Sequence, residues 1–383
     1  MSDTRIDFIY LNEQDMKKAG VLDAGRCVDT MEEVFKLLGT GDVLMGGKSR
    51  REHGIQLIFP KKSPIPGFPL EDSRDRRFMS MPAYLGGRFH MAGEKFYGSN
   101  GRNIQKGLPR SILMVTLNDV ETGQPIAYMS GNLLSAMRTG AVPGVAARHL
   151  SVEQPKVLSL LGAGVVNKTC LMAYLSQFDS IDTIKIKGSS AASKSAQEMK
   201  RFVQEKYPQI ENVVLCGTDE EAVHMADIVS EATSVVNRQW PVIKPEWIKK
   251  GCLIISSGTM DISDHAFVVK NIRKIVDNYL MYQEYTEIYE EWDEEGKRLP
   301  SGVPGMYYVN MVEDGEIQAS EVTELGDILL GKKQGRRSEE EIIWVSVGGM
   351  PILDVGWGYE CYRQAVKKGL GVTLNLWEKP YFC

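Results

Sequence analysis

The stretch with the clearest chemical potential is Lys156 to Asn167: an apolar run, Val157-Leu158-Ser159-Leu160-Leu161, breaks at Gly162-Ala163-Gly164 and resumes at helical spacing near Lys168. A strand, a tight turn and a helix in that order leave unpaired backbone N–H groups at the helix start, where donors and dipole together bind a phosphate. Gly162 permits the turn, Gly164 lets a pyrophosphate approach the backbone, and Val165 and Val166 open the helix. Asn167 stands where the dinucleotide fingerprint has a third Gly or Ala. The other candidates are cations. Lys48, Arg50 and Arg51 share one loop, Lys95 lies between apolar neighbours, and Arg138 precedes a helical stretch interrupted by Gly140, Pro143 and Gly144. A guanidinium fork matches a carboxylate, so the loop reads either as solvated surface or as an anion site, and Arg138 as a residue able to hold an acid. On composition, Lys95 reads as a lysine snorkelling to water.

These residues need elements to position them. After the glycine loop, short strand candidates at 183–187, 212–216, 227–230 and 252–256 alternate with helix-length segments, the pattern of a doubly wound parallel sheet. This predicts a Rossmann dinucleotide-binding domain over 151–349. Thr218-Asp219-Glu220-Glu221 resembles a capping box and predicts a helix start there. Earlier in the chain, Val28, Met31, Val34, Phe35 and Leu38 trace an amphipathic helix, 79–87 and 89–97 read as strands about a glycine turn, and 111–117 with 126–129 as a hairpin. The first domain, 1–150, is therefore sheet-rich. Residues 60–77 read as a surface excursion without chemistry. The acidic, turn-rich stretch 282–324 reads as a solvated helix and long excursion, or as a lid. The tail predicts a strand, a glycine turn and a closing helix.

Composition narrows the function. The 383 residues allow two domains, and 43% hydrophobic with 25% charged is ordinary globular usage. A net charge of −5 supplies no basic field for nucleic acid. The six cysteines show no CxxC spacing, which fits reduced thiols and a cytoplasmic location, and neither a signal-like start nor an 18-residue apolar stretch points to a membrane. The end of the second strand bears on the cofactor. An acidic residue there would bind a ribose 2′-OH, whereas hydroxyls and a cation admit a 2′-phosphate. The strand runs out into Gly188-Ser189-Ser190, with Ser193 and Lys194 following and Asp182 before it. NADP(H) is expected in preference to NAD(H).

Several blocks, in order over nearly the whole chain, resemble the ornithine cyclodeaminase and mu-crystallin family: the Lys48 to Arg51 loop, Met81-Pro82-Ala83-Tyr84, Gly93-Glu94-Lys95, Asp119-Val120-Glu121-Thr122-Gly123, Ala136-Met137-Arg138-Thr139, Gly162-Ala163-Gly164, Val322-Thr323-Glu324-Leu325 and Ser346-Val347-Gly348. The resemblance implies an α/β protein in which a Rossmann domain is inserted in an α+β domain, 1–150 completed by 350–383, that binds substrate and forms a homodimer, with the cleft between the two. It also implies that Arg51 or Arg50, Lys95 and Arg138 hold a small amino or imino acid. The cyclodeaminases carry an aspartate after the fifth strand; here Met260 stands at the gapless match, and Asp261 follows. The reductase members match the NADP(H) expectation better, which implies an imine reductase or amino-acid dehydrogenase with Lys95 near the reacting C=N. The alternatives are an ornithine cyclodeaminase using NAD with Asp261 as base, and a non-catalytic NADPH-binding protein.

Overall fold

The computed structural model describes residues 4–47, 49–73, 75–234, 239–296 and 298–382. The chain divides into two compact units: Met1–Asp23, Thr40–Arg138 and Gly349–Cys383 form the first, Ala24–Gly39 and Thr139–Gly348 the second.

Among the described residues the first unit is an eight-stranded sheet. Its strands are β1 (Ile6–Leu11), β2 (Val43–Met45), β3 (Ile55–Ile58), β4 (Arg77–Leu85), β5 (Met91–Ser99), β6 (Ser111–Asn118), β7 (Pro125–Ser130) and β18 (Val372–Trp377), the last after the excursion into the second unit. The order is β18-β1-β7-β6-β5-β4-β2, with β3 also on β4, and the pairing is antiparallel except between β1 and β7. Helices α1 (Glu13–Ala19) and α11 (Pro351–Lys367) belong to this unit, α11 packing on β4, β5 and β6. Period-two alternation sets the two faces. Met79, Met81, Lys95, Tyr97, Val115 and Leu117 are buried, whereas Phe78, Phe96 and Ile112 are exposed on the other face, where the Phe78 and Phe96 rings stack 6.1 Å apart.

The second unit holds α2 (Ala24–Thr40), most of α3 (Asn132–Leu150) and a parallel sheet. The sheet runs β10-β9-β8-β11-β13-β17-β15-β16, formed by β8 (Val157–Leu161), β9 (Thr183–Lys187), β10 (Asn212–Leu215), β11 (Ile228–Glu231), β13 (Leu253–Ser256), β15 (Ile272–Val276), β16 (Val322–Glu324) and β17 (Ile342–Ser346). A short pair, β12 (Val242–Ile243) with β14 (Asp261–Ile262), lies apart. The helices are α4 (Val165–Leu175), α5 (Lys194–Lys206), α6 (Asp219–Val223), α7 (His265–Asn271), α8 (Tyr279–Tyr289), α9 (Pro304–Glu313) and α10 (Leu325–Leu329). Every pairing in the larger sheet is parallel, and the order reverses at β8, which makes this a Rossmann-type doubly wound fold. Thr218 caps α6 with Glu221 in a capping box, as its sequence suggests.

Three features depart from the pattern reading. The helix after Asn132 is not broken at Gly140, Pro143 and Gly144; α3 continues to Leu150. Its glycines instead allow close helix contact: a Cβ at Gly140 would lie 2.3 Å from the Thr169 carbonyl carbon, and one at Gly144 2.9 Å from the Ala173 Cβ and 2.8 Å from a Val28 methyl. This packing takes 24–39 and 139–150 into the second unit, away from the expected boundary at 150. The stretch 282–324 is solvated only in part: Glu287, Glu291, Glu294 and Glu295 are exposed, whereas Tyr282 of α8 and Met306, Tyr308, Val309 and Met311 of α9 are buried. Finally, β15 hides behind charged letters, since Arg273 and Lys274 are buried in it and Lys274 Nζ donates to the Val269 and Ile272 carbonyls at 2.9 and 2.8 Å.

Candidate active site

In the first unit, the alternation of β5 turns Lys95 inward between Gly93 and Tyr97. Lys95 is 3% exposed, so it does not snorkel. Its Nζ lies 3.0 Å from Asp354 Oδ2, and Arg138 Nε donates to Asp354 Oδ1 at 3.0 Å. Arg138 Nη2 donates to Ser135 Oγ at 3.3 Å, while Nη1 is buried without a hydrogen-bond partner among the described residues. Asp354 is fully buried in the first turn of α11, where the helix dipole favours a carboxylate. Gly349 leaves room for the guanidinium: a Cβ there would sit 3.2 Å from both Arg138 Nη1 and His53 Cε1. The Gly349 carbonyl is bonded to His53 Nδ1.

The charges are coupled. Burial alone would raise the Asp354 carboxyl, but Arg138 and then Lys95 outweigh it and hold it below its ordinary range. Burial and then the Arg138 charge push the Lys95 ammonium down to about 8, against the pull of Asp354. Burial of the His53 ring and the Lys95 charge lower it to about 3, leaving a neutral imidazole. Two cations around one carboxylate leave this buried cluster with net positive charge, and Arg138 keeps a donor free for an anion.

Of the expected first-loop residues, Arg50 is exposed at φ 62, its backbone closing a turn with Gly47 and Met45. Arg51 is half-buried, and its guanidinium enters no ion pair among the described residues. Lys48 lies outside the described residues, as does Arg74 of the 60–77 excursion. It is His53, two positions past Arg51, that joins this loop to the cluster. Pattern reading passed over His53 and Asp354. The available signal for Asp354 was a lone carboxylate in the apolar first turn Pro351-Ile352-Leu353-Asp354-Val355.

The second unit holds the glycine loop. Gly162 has φ +96, and a Cβ there would lie 2.5 Å from the Ala232 carbonyl oxygen. Nothing stands within 4 Å of a Cβ at Gly164, the N-cap of α4, and no side chain caps that helix. The first N–H groups of α4, with Val165 exposed and Val166 half-buried, therefore face open space, which fits a pyrophosphate. Asn167 corrects the cofactor-binding expectation for its side chain. It is fully buried, donating to the Leu161 and Gly162 carbonyls, both at 2.7 Å, and accepting from Ser230 Oγ at 2.8 Å. It fastens the loop rather than reaching a ligand. Past β9, Ser189 and Ser190 are exposed, Ser193 caps α5 through the Ala196 N–H, and Lys194 is exposed with its Nζ 3.8 Å from Glu198.

Two buried carboxyls end strands of the same sheet. Glu231 accepts from the Thr233 N–H and hydroxyl at 2.7 and 2.6 Å and from the Gly258 N–H at 3.2 Å, and burial pushes it up to about 7. Asp277 accepts from the Gly348 N–H at 2.7 Å, and burial raises it to about 6. Asp261 belongs to this unit. Its Oδ1 accepts from the Ile262 N–H at 2.7 Å, burial raises its carboxyl, and it lines a cavity with His265 and Tyr307. Lys95 and Arg138 are thus brought together, whereas Asp261 is placed among other partners. Among the described residues no group of three His, Cys, Asp or Glu is arranged for a metal, no helix is long and apolar enough to cross a membrane, and Cys27, Cys170, Cys216, Cys252 and Cys361 are buried and in no disulfide.

The parallel sheet and glycine loop define a Rossmann-type dinucleotide-binding fold. Residues 22–369 match the ornithine cyclodeaminase/mu-crystallin family, and the chain belongs to it. It is similar to the N-((2S)-2-amino-2-carboxyethyl)-L-glutamate dehydrogenase of Staphylococcus aureus, 28% identical over 97% of this chain and 99% of the relative. It is also similar to the alanine dehydrogenase of Archaeoglobus fulgidus, 28% identical over 90% of this chain and 97% of that one. Among solved structures, Thermococcus litoralis Delta(1)-pyrroline-2-carboxylate reductase, in complex with NADH and L-proline, superposes with a TM-score of 0.75 at 23% identity, covering 95% of this chain and 99% of that chain.

Proposed function

We propose that the protein is an NADP(H)-dependent imine reductase or amino-acid dehydrogenase acting on a small amino or imino acid. The observation that carries this reading is the buried, net positive cluster of Lys95, Arg138 and Asp354 with one guanidinium nitrogen unpartnered among the described residues. Named relatives that oxidise or reduce C–N bonds support it. Nicotinamide, when bound, supplies or accepts the hydride at the substrate Cα. Arg138, helped by Arg51, would bind the substrate carboxylate. Lys95, charged below about pH 8, would hold a proton toward the imine nitrogen. Asp354 would fix both cations, and the neutral His53 would orient the wall at Gly349. The test is nicotinamide absorbance with NADPH and a panel of cyclic imines, and of 2-oxo acids plus amines. Oxidation supports the reading. No oxidation, with ornithine turned into proline and ammonia, overturns it in favour of a cyclodeaminase, and no turnover of any amino or imino acid overturns it in favour of a binding protein.

Cofactor preference has its own test. Ser189, Ser190 and Lys194 offer hydroxyls and a cation past β9 without a carboxylate directly after the strand, a setting for a 2′-phosphate. NADPH should bind more tightly than NADH by about 1 to 3 kcal/mol, the scale of a charge-assisted contact. Lys194→Ala should narrow that gap in a fluorescence titration, and equal affinities in the unaltered protein would refute the preference.

The same proposal includes a homodimer through the open face of the first unit. Phe78, Phe96 and Ile112 are 42%, 40% and 47% exposed on neighbouring strands, an apolar patch that a second copy would cover. Light scattering should give twice the chain mass, and Phe96→Asp should give monomers; a dimeric variant would place the interface elsewhere.

A further inference from the structure

The second unit has a cavity of about 390 Å³ between the end of α7, β15, β16 and the segment 333–341. Five of its lining residues are cations, Lys270, Arg273, Lys274, Lys333 and Arg337, against two carboxylates, Glu321 and Glu341, a surplus of three positive charges. Arg273 and Lys274 are only 8% and 3% exposed. Both carboxylates are already engaged. Arg337 Nε and Nη2 meet Glu341 Oε1, each at 2.5 Å, with Arg273 Nη1 3.6 Å from Oε2, and Glu321 Oε1 accepts from the Gln318 N–H at 2.7 Å. Lys274 spends two of its three N–H groups on the Val269 and Ile272 carbonyls, which offset part of one charge at the end of α7. Lys270, Lys274 and Lys333 enter no ion pair among the described residues.

We propose that this cavity binds a compact phosphate-bearing anion, its charge met by Lys270, Lys274 and Lys333. A cation would add to the surplus, and a neutral ligand would leave it uncompensated. Burial lowers the Lys274 ammonium against the pull of Glu321, and an anion in the cavity would restore it. The guanidinium forks that suit a planar carboxylate are occupied, Arg337 by Glu341 and Arg273 by the Gln334 and Gly335 carbonyls. What is left is ammonium groups, point charges that take a tetrahedral phosphate without a fork's geometry. The volume falls within the range of about 300–1,000 Å³ of small-ligand sites. Within this unit the cavity and the glycine loop lie at opposite edges of the sheet. Arg273 is level with Ile343, Leu253, Ile228 and Leu158 at the strand starts, whereas the loop follows Leu161 at the end of β8. The inference does not rest on the proposed activity.

The test is calorimetric titration of the full-length protein with pyrophosphate, inorganic phosphate, malonate and methylamine, with NADPH or NADH, whichever binds the more tightly, at saturation so that the glycine loop is filled. Pyrophosphate is expected to bind, inorganic phosphate more weakly, and malonate and methylamine at least tenfold more weakly than pyrophosphate. Lys270 and Lys333 are exposed, so Lys270→Gln/Lys333→Gln removes two charges without touching the core and should weaken pyrophosphate at least tenfold. Ser320→Trp, filling the space from an exposed lining position, should do the same without a charge change. Lys61→Gln/Lys62→Gln, the same charge change at exposed positions of the other unit, should bind pyrophosphate as the unaltered protein does, and nucleotide affinity should be unchanged in all three variants. Absent pyrophosphate binding in the nucleotide-saturated protein, malonate binding as tightly, or pyrophosphate binding that survives both cavity variants would overturn the proposal.

Discussion

Asp354→Asn is expected to lower turnover about 100-fold or more and to reduce the melting temperature on the order of 10 °C. Asparagine keeps the shape but removes the charge that faces both Lys95 and Arg138. Stranding one partner of a buried ion pair costs about 3–5 kcal/mol, and melting shifts by a few degrees for each of them. The rate falls for a different reason. Released from a common anchor, the two cations no longer hold their spacing, and a misplacement of about 1 Å is enough for a 100-fold loss. Linkage gives a second readout. Because Asp354 titrates below its ordinary 3.8, its contribution is complete above that pH and is lost as pH falls through the depressed folded value. The variant should therefore lose less stability than the unaltered protein as pH falls below the ordinary 3.8. Unchanged melting and an unchanged kcat/KM would mean that the three residues act independently.

The residues of this cluster also mark the limit of what the chain discloses before folding. The Rossmann unit was legible because β8, β9, β10, β11 and β13 are short stretches rich in Val, Ile and Leu, continuous or, in β9, alternating with lysine, each carrying its own local signal. Strand β15 was not, because Arg273 and Lys274 read as surface when their carbonyl partners lie at 334–335 and at the end of α7. Glycine in α3 had two meanings, break or close approach, and only the helix packed against it selects one. Lys95 is the same problem in one residue. Nothing within β5 says whether a lysine's amine reaches water or a carboxylate contributed 259 positions later. The family resemblance pointed to Lys95 and Arg138 but not to the carboxylate that joins them. Asp354 acquires its meaning from burial, which a single residue in a helical pattern does not announce.

Lys95→Met is the second large effect. Methionine retains most of the stem's packing near the Tyr97 ring, over which Nζ lies at 5.7 Å, while deleting the charge. The fold and nucleotide affinity should survive, and turnover should fall about 100-fold or more, the scale of a positioned acid or base. The pH dependence separates this role from a structural one. The folded value of about 8 lies below the ordinary 10.5, so the unfolded chain binds the Lys95 proton more tightly. Lys95 therefore costs stability in full below about pH 8, and that cost is relieved as pH rises from about 8 toward 10.5. The variant should lose this rise. In the imine-reducing direction the unaltered protein's kcat/KM should decline above about pH 8 as the ammonium gives up its proton, and the residual activity of Lys95→Met should lack that decline. Near-normal turnover in the variant, or the same alkaline decline in both proteins, would remove Lys95 from the chemistry and leave it as a counter-ion of Asp354.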